Sequence, residues 1–199
     1  MFMVNLAWAQ ARPAPPPEDQ LAAPGRADWS VDERSGCWLW NGKPQPGETV
    51  VWTGGCDSDG RAIGHGVREW HTDGKMTSRY EGEMQEGKPN GQGVITAADG
   101  SRYEGEFRNG KFNGRGVMTT ANGSRYEGEF RDGKLNGNGF LTAPNGYRYE
   151  GEFRNGKANG QGVVIFPTGR RYGGKWRDGC LRAGGTWVAA VGRQLSECR

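Results

Sequence analysis

The chain has 199 residues, a formal net charge of +3 and 34% hydrophobic residues, so it is long enough for one domain but poor in apolar side chains. This composition excludes a domain built around a large aliphatic core. Positive and negative charges alternate without the basic block that binds nucleic acid, so we expect no nucleic-acid partner. Glycine contributes 36 residues and recurs periodically, which excludes both a low-complexity linker and collagen.

The amino-terminal segment indicates export. Residues 1–9 read MFMVNLAWA, a short apolar run ending in the small-x-small pattern of a signal-peptidase site. Because the run lacks a basic start and is shorter than an ordinary signal, we interpret it as a truncated signal peptide; the alternative is an unstructured apolar start. Residues 10–30 are rich in proline and alanine, so we expect an unfolded linker there. No segment of the sequence approaches the ~20 apolar residues that span a bilayer.

Four cysteines form two pairs near the ends of the remaining chain. Cys37 and Cys56 flank an irregular first unit, and Cys180 and Cys198 flank the last one. Of the three pairings that four cysteines allow, the sequential one closes a local loop at each end, and we favour it. The rival interpretation is a zinc site, but the sequence has no C-x-x-C spacing, so we expect no metal and no cofactor. Two disulfides favour a periplasmic or secreted protein.

The first cysteine pair lies in a unit that we interpret as a cap. Residues 31–56 contain two segments rich in aromatic and β-branched residues, at 36–41 and 50–56, which predict a disulfide-linked hairpin. Arrays of repeats need atypical end units to cover an otherwise exposed end. A separate binding site is the alternative interpretation of this unit.

A phrase of 23 residues then begins at Tyr80 and occurs four times in succession up to residue 171. The second copy reads YEGEFRNGKFNGRGVMTTANGSR, and the other three differ from it mainly outside the glycine and aromatic positions. A looser copy occupies residues 52–79, and a degraded copy with the second cysteine pair occupies residues 172–199. A fixed short period predicts an array of one supersecondary unit, in which no unit buries a core alone.

Each repeat predicts a β-hairpin. Residues 103–108 read YEGEFR, in which aromatic or glycine positions alternate with charged ones, so they predict a strand with an aromatic face and a charged face. The Asn-Gly pairs at 109–110 and 122–123 predict tight turns, with a returning strand at 116–119 between them. Glycine weakens a strand, but Gly105 shares the aromatic face and leaves room for a ring from an adjacent strand. We therefore expect a continuous ladder of rings.

The phrase Y-E-G-E-[FW]-x-[ND]-G-K-x-x-G-x-G resembles the MORN repeat, from about Trp52 to Trp187. This resemblance implies an all-β fold, an elongated, twisted, single-layer antiparallel sheet of stacked hairpins with a groove lined by its aromatic face. The first unit resembles the cysteine-bearing leading unit of exported bacterial MORN proteins. Two strands per repeat at ~4.8 Å spacing predict a rod of roughly 60 Å.

The resemblance also implies a non-enzymatic binding or scaffold protein that engages a protein partner through the aromatic groove. The partner-binding positions are a tyrosine, a phenylalanine and the second glutamate of the motif in three repeats. They are Tyr103, Glu106, Phe107, Tyr126, Glu129, Phe130, Tyr149, Glu152 and Phe153. Periodic rings are also the ordinary core of a repeat, so the rings have two interpretations that can coexist. Open edge strands would in addition permit self-association.

Two other function classes are weaker. A phospholipid or membrane-surface module would use a row of turn lysines, Lys88, Lys111, Lys134 and Lys157. Nearby acidic residues offset these lysines, and surface potentials of this kind are screened within ~8 Å at physiological salt. An enzyme is disfavoured, because the paired glutamates recur in every copy, whereas a catalytic pair would occur once, in a pocket.

Overall fold

The computed structural model describes residues 28–199, so the signal-like run at 1–9 and most of the predicted linker lie outside the described residues. The described chain contains sixteen β-strands and one 3-10 turn, Leu195–Glu197. The strands are β1 Asp28–Val31, β2 Trp38–Asn41, β3 Glu48–Trp52, β4 Gly55–Cys56, β5 Ala62–Thr72, β6 Lys75–Gln85, β7 Lys88–Ala97, β8 Arg102–Arg108, β9 Lys111–Thr119, β10 Arg125–Arg131, β11 Lys134–Thr142, β12 Arg148–Arg154, β13 Lys157–Ile165, β14 Arg171–Trp176, β15 Cys180–Ala183 and β16 Thr186–Ala189.

Twelve of these strands form one antiparallel sheet. Its order runs from β14 back to β5 without a crossover and then to β3, with the short β4 also paired to β5. The predicted all-β array of stacked hairpins is therefore confirmed. The eleven strands in series span about 48 Å at ~4.8 Å spacing, less than the predicted rod, because β15 and β16 leave the main sheet and pair with each other.

The tight turn between β8 and β9 is confirmed at Asn109 and Gly110, whose φ angles are 49° and 76°. A two-residue turn that matches the twist of a hairpin needs positive φ at both central positions, which asparagine, aspartate and glycine tolerate best. The same pair of angles recurs at the tips of the next two hairpins. Turn chemistry therefore sets the register of every repeat.

The core is a ladder of rings on one face of the sheet. Tyr103 meets Phe107 of its own hairpin edge-on at 5.2 Å between ring centroids, and Phe130 of the next hairpin at 5.0 Å. Because each tyrosine contacts two repeats, the contacts continue along the whole array, and the predicted ladder is confirmed. Its members are Tyr80, Phe107, Tyr103, Phe130, Tyr126, Phe153, Tyr149 and Trp176.

The glycines of the ladder make room for these rings. Gly105 and Gly116 face each other across β8 and β9. A β-carbon on Gly116 would lie 2.6 Å from the Tyr103 hydroxyl, so the ring fills the space of the missing side chain. The prediction for Gly105 was a ring from an adjacent strand, but the ring beside it belongs to Tyr103 of the same strand, β8. The side chain leans along its strand, and its hydroxyl donates a hydrogen bond to the Glu106 carbonyl at 2.9 Å.

A β-bulge bends each hairpin over the rings. In β8 the register shifts between Gly105 and Glu106, and a bulge of this kind bends a strand. Beyond it the hairpin tips stack on one another, and the Gly133 N–H donates to the Phe112 carbonyl of the preceding tip at 2.9 Å. Phe112 also stacks on Tyr103, with centroids 3.9 Å apart. The tips therefore cover the aromatic face and leave the opposite face open.

The amino-terminal unit differs from the predicted hairpin. β2 pairs with β1, and β3 pairs with β5 of the main sheet. The predicted pairing of 36–41 with 50–56 is therefore wrong, and the predicted linker extends too far, since β1 begins at Asp28. The physical reason is burial: in the main sheet Val50 and Trp52 of β3 are 4% and 2% exposed.

Both predicted disulfides are present. Cys37 is bonded to Cys56 and Cys180 to Cys198, with sequence separations of 19 and 18 residues. The first joins the β1–β2 hairpin to β4, and the second joins β15 to the carboxyl-terminal residues. Two disulfides are typical of proteins in an oxidising environment outside the cytoplasm.

Candidate functional site

The predicted site residues are divided between the two faces of the sheet. The six rings lie on the covered face: Tyr103 and Phe107 are 1% and 4% exposed, and their equivalents in the next two repeats are 0–3% exposed. Burial raises the pKa of the Tyr103 hydroxyl to about 12. The rings therefore form the core and leave little area for a partner to contact. Their role in binding stays a prediction.

The open face carries a groove along the middle repeats. Two adjoining depressions of about 530 and 490 Å³ share Glu127 and Asn138 in their walls. Val117 lies between Glu104 and Glu127 in the register of the sheet, and Phe140 occupies the equivalent place one repeat later. Phe140 is 38% exposed, so the floor of the groove is apolar and accessible. We call this surface the carboxylate groove.

Its walls carry a double row of glutamates. The first glutamate is partly neutralised in the two middle repeats, since Glu104 lies 2.7 Å from Arg102 and Glu127 lies 2.8 Å from Arg125. The second glutamate makes no ion pair in the part of the chain that the structure describes. Among the described residues, Arg115 is the one cation that lines the two depressions. The two rows are Glu81, Glu104, Glu127 and Glu150, and Glu83, Glu106, Glu129 and Glu152.

The second glutamates are held by the bulges. One carboxylate oxygen of Glu106 accepts a hydrogen bond from the Arg115 N–H at 3.3 Å, and the carboxylate lies over Gly114, whose φ is +58°. A β-carbon on that glycine would collide with the carboxylate. Because a carboxylate has about four acceptor sites and Glu106 lines one of the depressions, most of its acceptor capacity remains available to a ligand. The equivalent bonds join Glu129 to Asn138 at 3.2 Å and Glu152 to Gln161 at 2.7 Å.

The groove floor is the part of the site that sequence reasoning missed. The charged face was expected to be simply solvated, but each repeat places an apolar residue on it, directly after the G-x-G of the motif. This signal was present in the sequence as Val94, Val117, Phe140 and Val163.

The predicted lysine row lies at the hairpin tips, outside the carboxylate groove. Each of these lysines is the first residue of a returning strand, β7, β9, β11 or β13. Lys111 and Lys134 are exposed, whereas the Lys88 ammonium lies 4.7 Å from the centre of the Trp40 ring. The cap therefore covers one end of the row.

Within residues 28–199, no group of three or more histidine, cysteine, aspartate or glutamate side chains is arranged to hold a metal ion. No helix among the same residues is long and apolar enough to cross a membrane.

Comparison with protein families identifies the repeat. The model of the MORN repeat matches residues 80–102, 103–125, 126–146 and 149–170. A comparison with curated proteins found no match. Proteins with this repeat are generally non-catalytic and bind proteins or membrane lipids. The repeat matches coincide with the hairpins of the ring ladder, and a disulfide lies beyond each end of them. Residues 80–170 of the chain therefore form four consecutive MORN repeats.

Proposed function

We propose that this protein is a non-enzymatic scaffold of the periplasm or the extracellular space, and that it binds an extended cationic segment of a protein partner in the carboxylate groove. The observation that carries the proposal is the glutamate stripe, which recurs at fixed positions of every repeat above an apolar floor. The six buried rings support this groove from behind.

Charge and shape both favour a cationic segment. Five glutamates line the two depressions against one arginine, and although Glu104 and Glu127 each pair with an arginine at the rim, the lining keeps a net negative charge. The exposed Phe140 and the half-buried Val117 offer apolar contact to the aliphatic part of a lysine or arginine side chain. The bulges hold the second glutamates in place before any partner arrives, and a preorganised surface loses little entropy on binding.

The spacing of the repeats favours an extended conformation of the partner. Two strands at ~4.8 Å place equivalent glutamates about 9.6 Å apart along the array. A polyproline II segment advances about 9.3 Å in three residues, so a cationic side chain at every third position stays in phase over several repeats. In an α-helix, side chains return to the same face after seven residues, about 10.5 Å, and this spacing drifts out of phase sooner.

The experiment measures the binding of two labelled 15-residue peptides of identical composition by fluorescence anisotropy. Each carries four lysines among prolines and alanines, and the lysines are spaced three residues apart in the first peptide and four residues apart in the second. We expect the first peptide to bind more tightly. Equal binding of the two peptides would contradict the proposed spacing, and no binding of either would contradict the cationic partner.

The matched variants separate charge from structure. Replacing Glu106, Glu129 and Glu152 by glutamine keeps an oxygen that accepts the backbone hydrogen bond and removes three charges. Three charge pairs at about 0.5 kcal/mol each predict roughly tenfold weaker binding of the first peptide. The control replaces Glu33 by glutamine and Asp73 and Asp132 by asparagine, which removes the same charge outside the groove and should leave binding unchanged.

The same proteins test the lipid alternative. Binding to vesicles with anionic lipid that survives the glutamine substitutions but is lost in Lys111→Gln/Lys134→Gln would assign the function to the lysine row. If the unchanged protein does not bind these vesicles and its peptide binding depends on the three glutamates, the result would support the proposed function.

A further inference from the structure

We infer a second binding site at the carboxyl-terminal end of the array, where the free edge of β14 accepts an extended acidic peptide segment as an added strand. This site is separate from the carboxylate groove and selects the opposite charge.

The edge of β14 is unpaired. β14 is the last strand of the main sheet, and its register partners all lie in β13. In the described chain, residues 28–199, the backbone of Arg171–Trp176 makes no hydrogen bond on its other side. An antiparallel strand directs alternate backbone groups to each side, so a row of donors and acceptors remains open along six residues. Such an edge is a template for an incoming strand.

The following hairpin leaves this edge accessible. β15 and β16 pair with each other and do not continue the main sheet. Instead, Leu181 of β15 lies over Gly174, where a β-carbon would be 2.9 Å from its Cδ1 atom. The Cys180–Cys198 disulfide holds β15 in this position. Between β14 and this hairpin remains a cavity of about 780 Å³, in which Trp187 forms an apolar wall.

The sequence of β14 departs from the repeats at the positions that matter for a ligand. The YEGE of the four regular repeats becomes YGGK, so Gly173 and Lys175 replace both groove glutamates. The exposed Gly173 lets another backbone approach closely, since it presents no side chain. The acidic stripe of the array therefore ends at β14.

The charge of the cavity identifies the partner as acidic. Its lining includes four cations, Arg154, Lys175, Arg177 and Arg182, and no carboxylate from the described residues. One of them is partly compensated, because Arg154 lies 3.9 Å from Asp178. A second copy of the chain pairing β14 with β14 would bring these like charges together, which disfavours self-association at this edge. An extended segment with alternating acidic and apolar residues satisfies the edge, the cations and the Trp187 wall together.

The experiment mixes the full chain with a nine-residue peptide of alternating glutamate and valine. Isothermal titration calorimetry measures the binding, and amide hydrogen exchange locates it on the chain. We expect saturable binding and at least tenfold slower exchange of amides within Arg171–Trp176. A peptide of the same sequence with N-methyl groups on all backbone amides cannot donate to the strand ladder from either edge, and we expect it not to bind. Equal binding of the methylated peptide, or protection only elsewhere, would overturn the proposal.

Charge variants supply the second test. Lys175→Gln/Arg177→Gln/Arg182→Gln should weaken the acidic peptide at least tenfold, whereas the control Arg108→Gln/Arg131→Gln/Lys134→Gln should leave it unchanged. Glutamine at Glu106, Glu129 and Glu152 should also leave binding of the acidic peptide unchanged. A negative result for the carboxylate groove can therefore be told apart from a negative result for this edge. Concentration-dependent dimerisation that protects Arg171–Trp176 without peptide would overturn the proposal by assigning the edge to a second copy.

Discussion

Gly116→Ala tests whether the rings of the ladder depend on the missing side chains. The new methyl group would lie 2.6 Å from both the hydroxyl and a ring carbon of Tyr103, well inside van der Waals contact. Gly116 does not have a left-handed φ, so backbone strain does not contribute to the effect. The ring must therefore move, and it is fixed by its hydroxyl bond to the Glu106 carbonyl and by edge-on contact with Phe130.

The expected loss of unfolding free energy can be worked out from these contacts. Overpacking a core costs about 1–3 kcal/mol, a lost buried hydrogen bond about 1 kcal/mol, and a disturbed pair of rings about 1 kcal/mol. Because the ring can keep part of its contacts, we expect the free energy of unfolding to fall by about 3–4 kcal/mol. Equilibrium urea unfolding, followed by tryptophan fluorescence, measures this change.

Two further variants make the reasoning refutable. Gly42→Ala adds a methyl group with no atom within 4 Å and no left-handed φ, and it should change the free energy of unfolding by less than about 1 kcal/mol. In a Tyr103→Ala background, Gly116→Ala should be nearly neutral, because the ring that it displaces is gone. Additive losses in the double variant would refute the assignment of the effect to the ring.

The remaining predictions concern the bulge, the disulfides and the tyrosines. Gly128→Val should destabilise the array in the same way as Gly116→Ala, whereas Glu129→Ala, which loses one exposed hydrogen bond, should cost less than about 1 kcal/mol in urea unfolding but weaken peptide binding. Comparable stability and unchanged binding for both variants would contradict this division. Cys180→Ser/Cys198→Ser opens a loop with 18 residues of separation and should lower the free energy of unfolding by about 2–4 kcal/mol, and an unchanged urea midpoint would contradict this. Burial raises the pKa of Tyr103 to about 12, above the ~10 of an unfolded tyrosine, so its contribution to stability should be complete below pH ~10 and lost as the pH rises towards 12; urea midpoints at pH 9, 10 and 11 would show this decline, and a flat profile would contradict it.

The middle of the fold could be predicted because each repeat specifies its own geometry. The alternation in YEGEFR fixes two faces, and the Asn-Gly pair at 109–110 fixes the turn, so neither depends on distant residues. The two disulfides were also predictable, since each cysteine pair brackets one end of the array. Local information is sufficient wherever the chain repeats.

The ends and the groove depend on contacts that no local pattern encodes. The sequence of β2 fits a hairpin with either neighbour, and only the long edge of β5 decides that β3 joins the main sheet. The bulge at Gly105 turns the hairpin tips onto the rings, and this choice determines which face stays open. The groove therefore lies on the charged face, where the alternation alone predicts only solvent.

The stacking of the hairpin tips makes the length of this protein adjustable. Each 23-residue unit brings its own strand pair, ring contacts and covering tip, and the backbone N–H of its turn glycine bonds to the tip before it. Duplication or deletion of one unit would leave both disulfide-bonded ends unchanged and alter the carboxylate groove by about 10 Å. Unequal recombination can thus change the length of the groove, and with it the preferred partner, by one repeat at a time. No new core has to arise by point mutation.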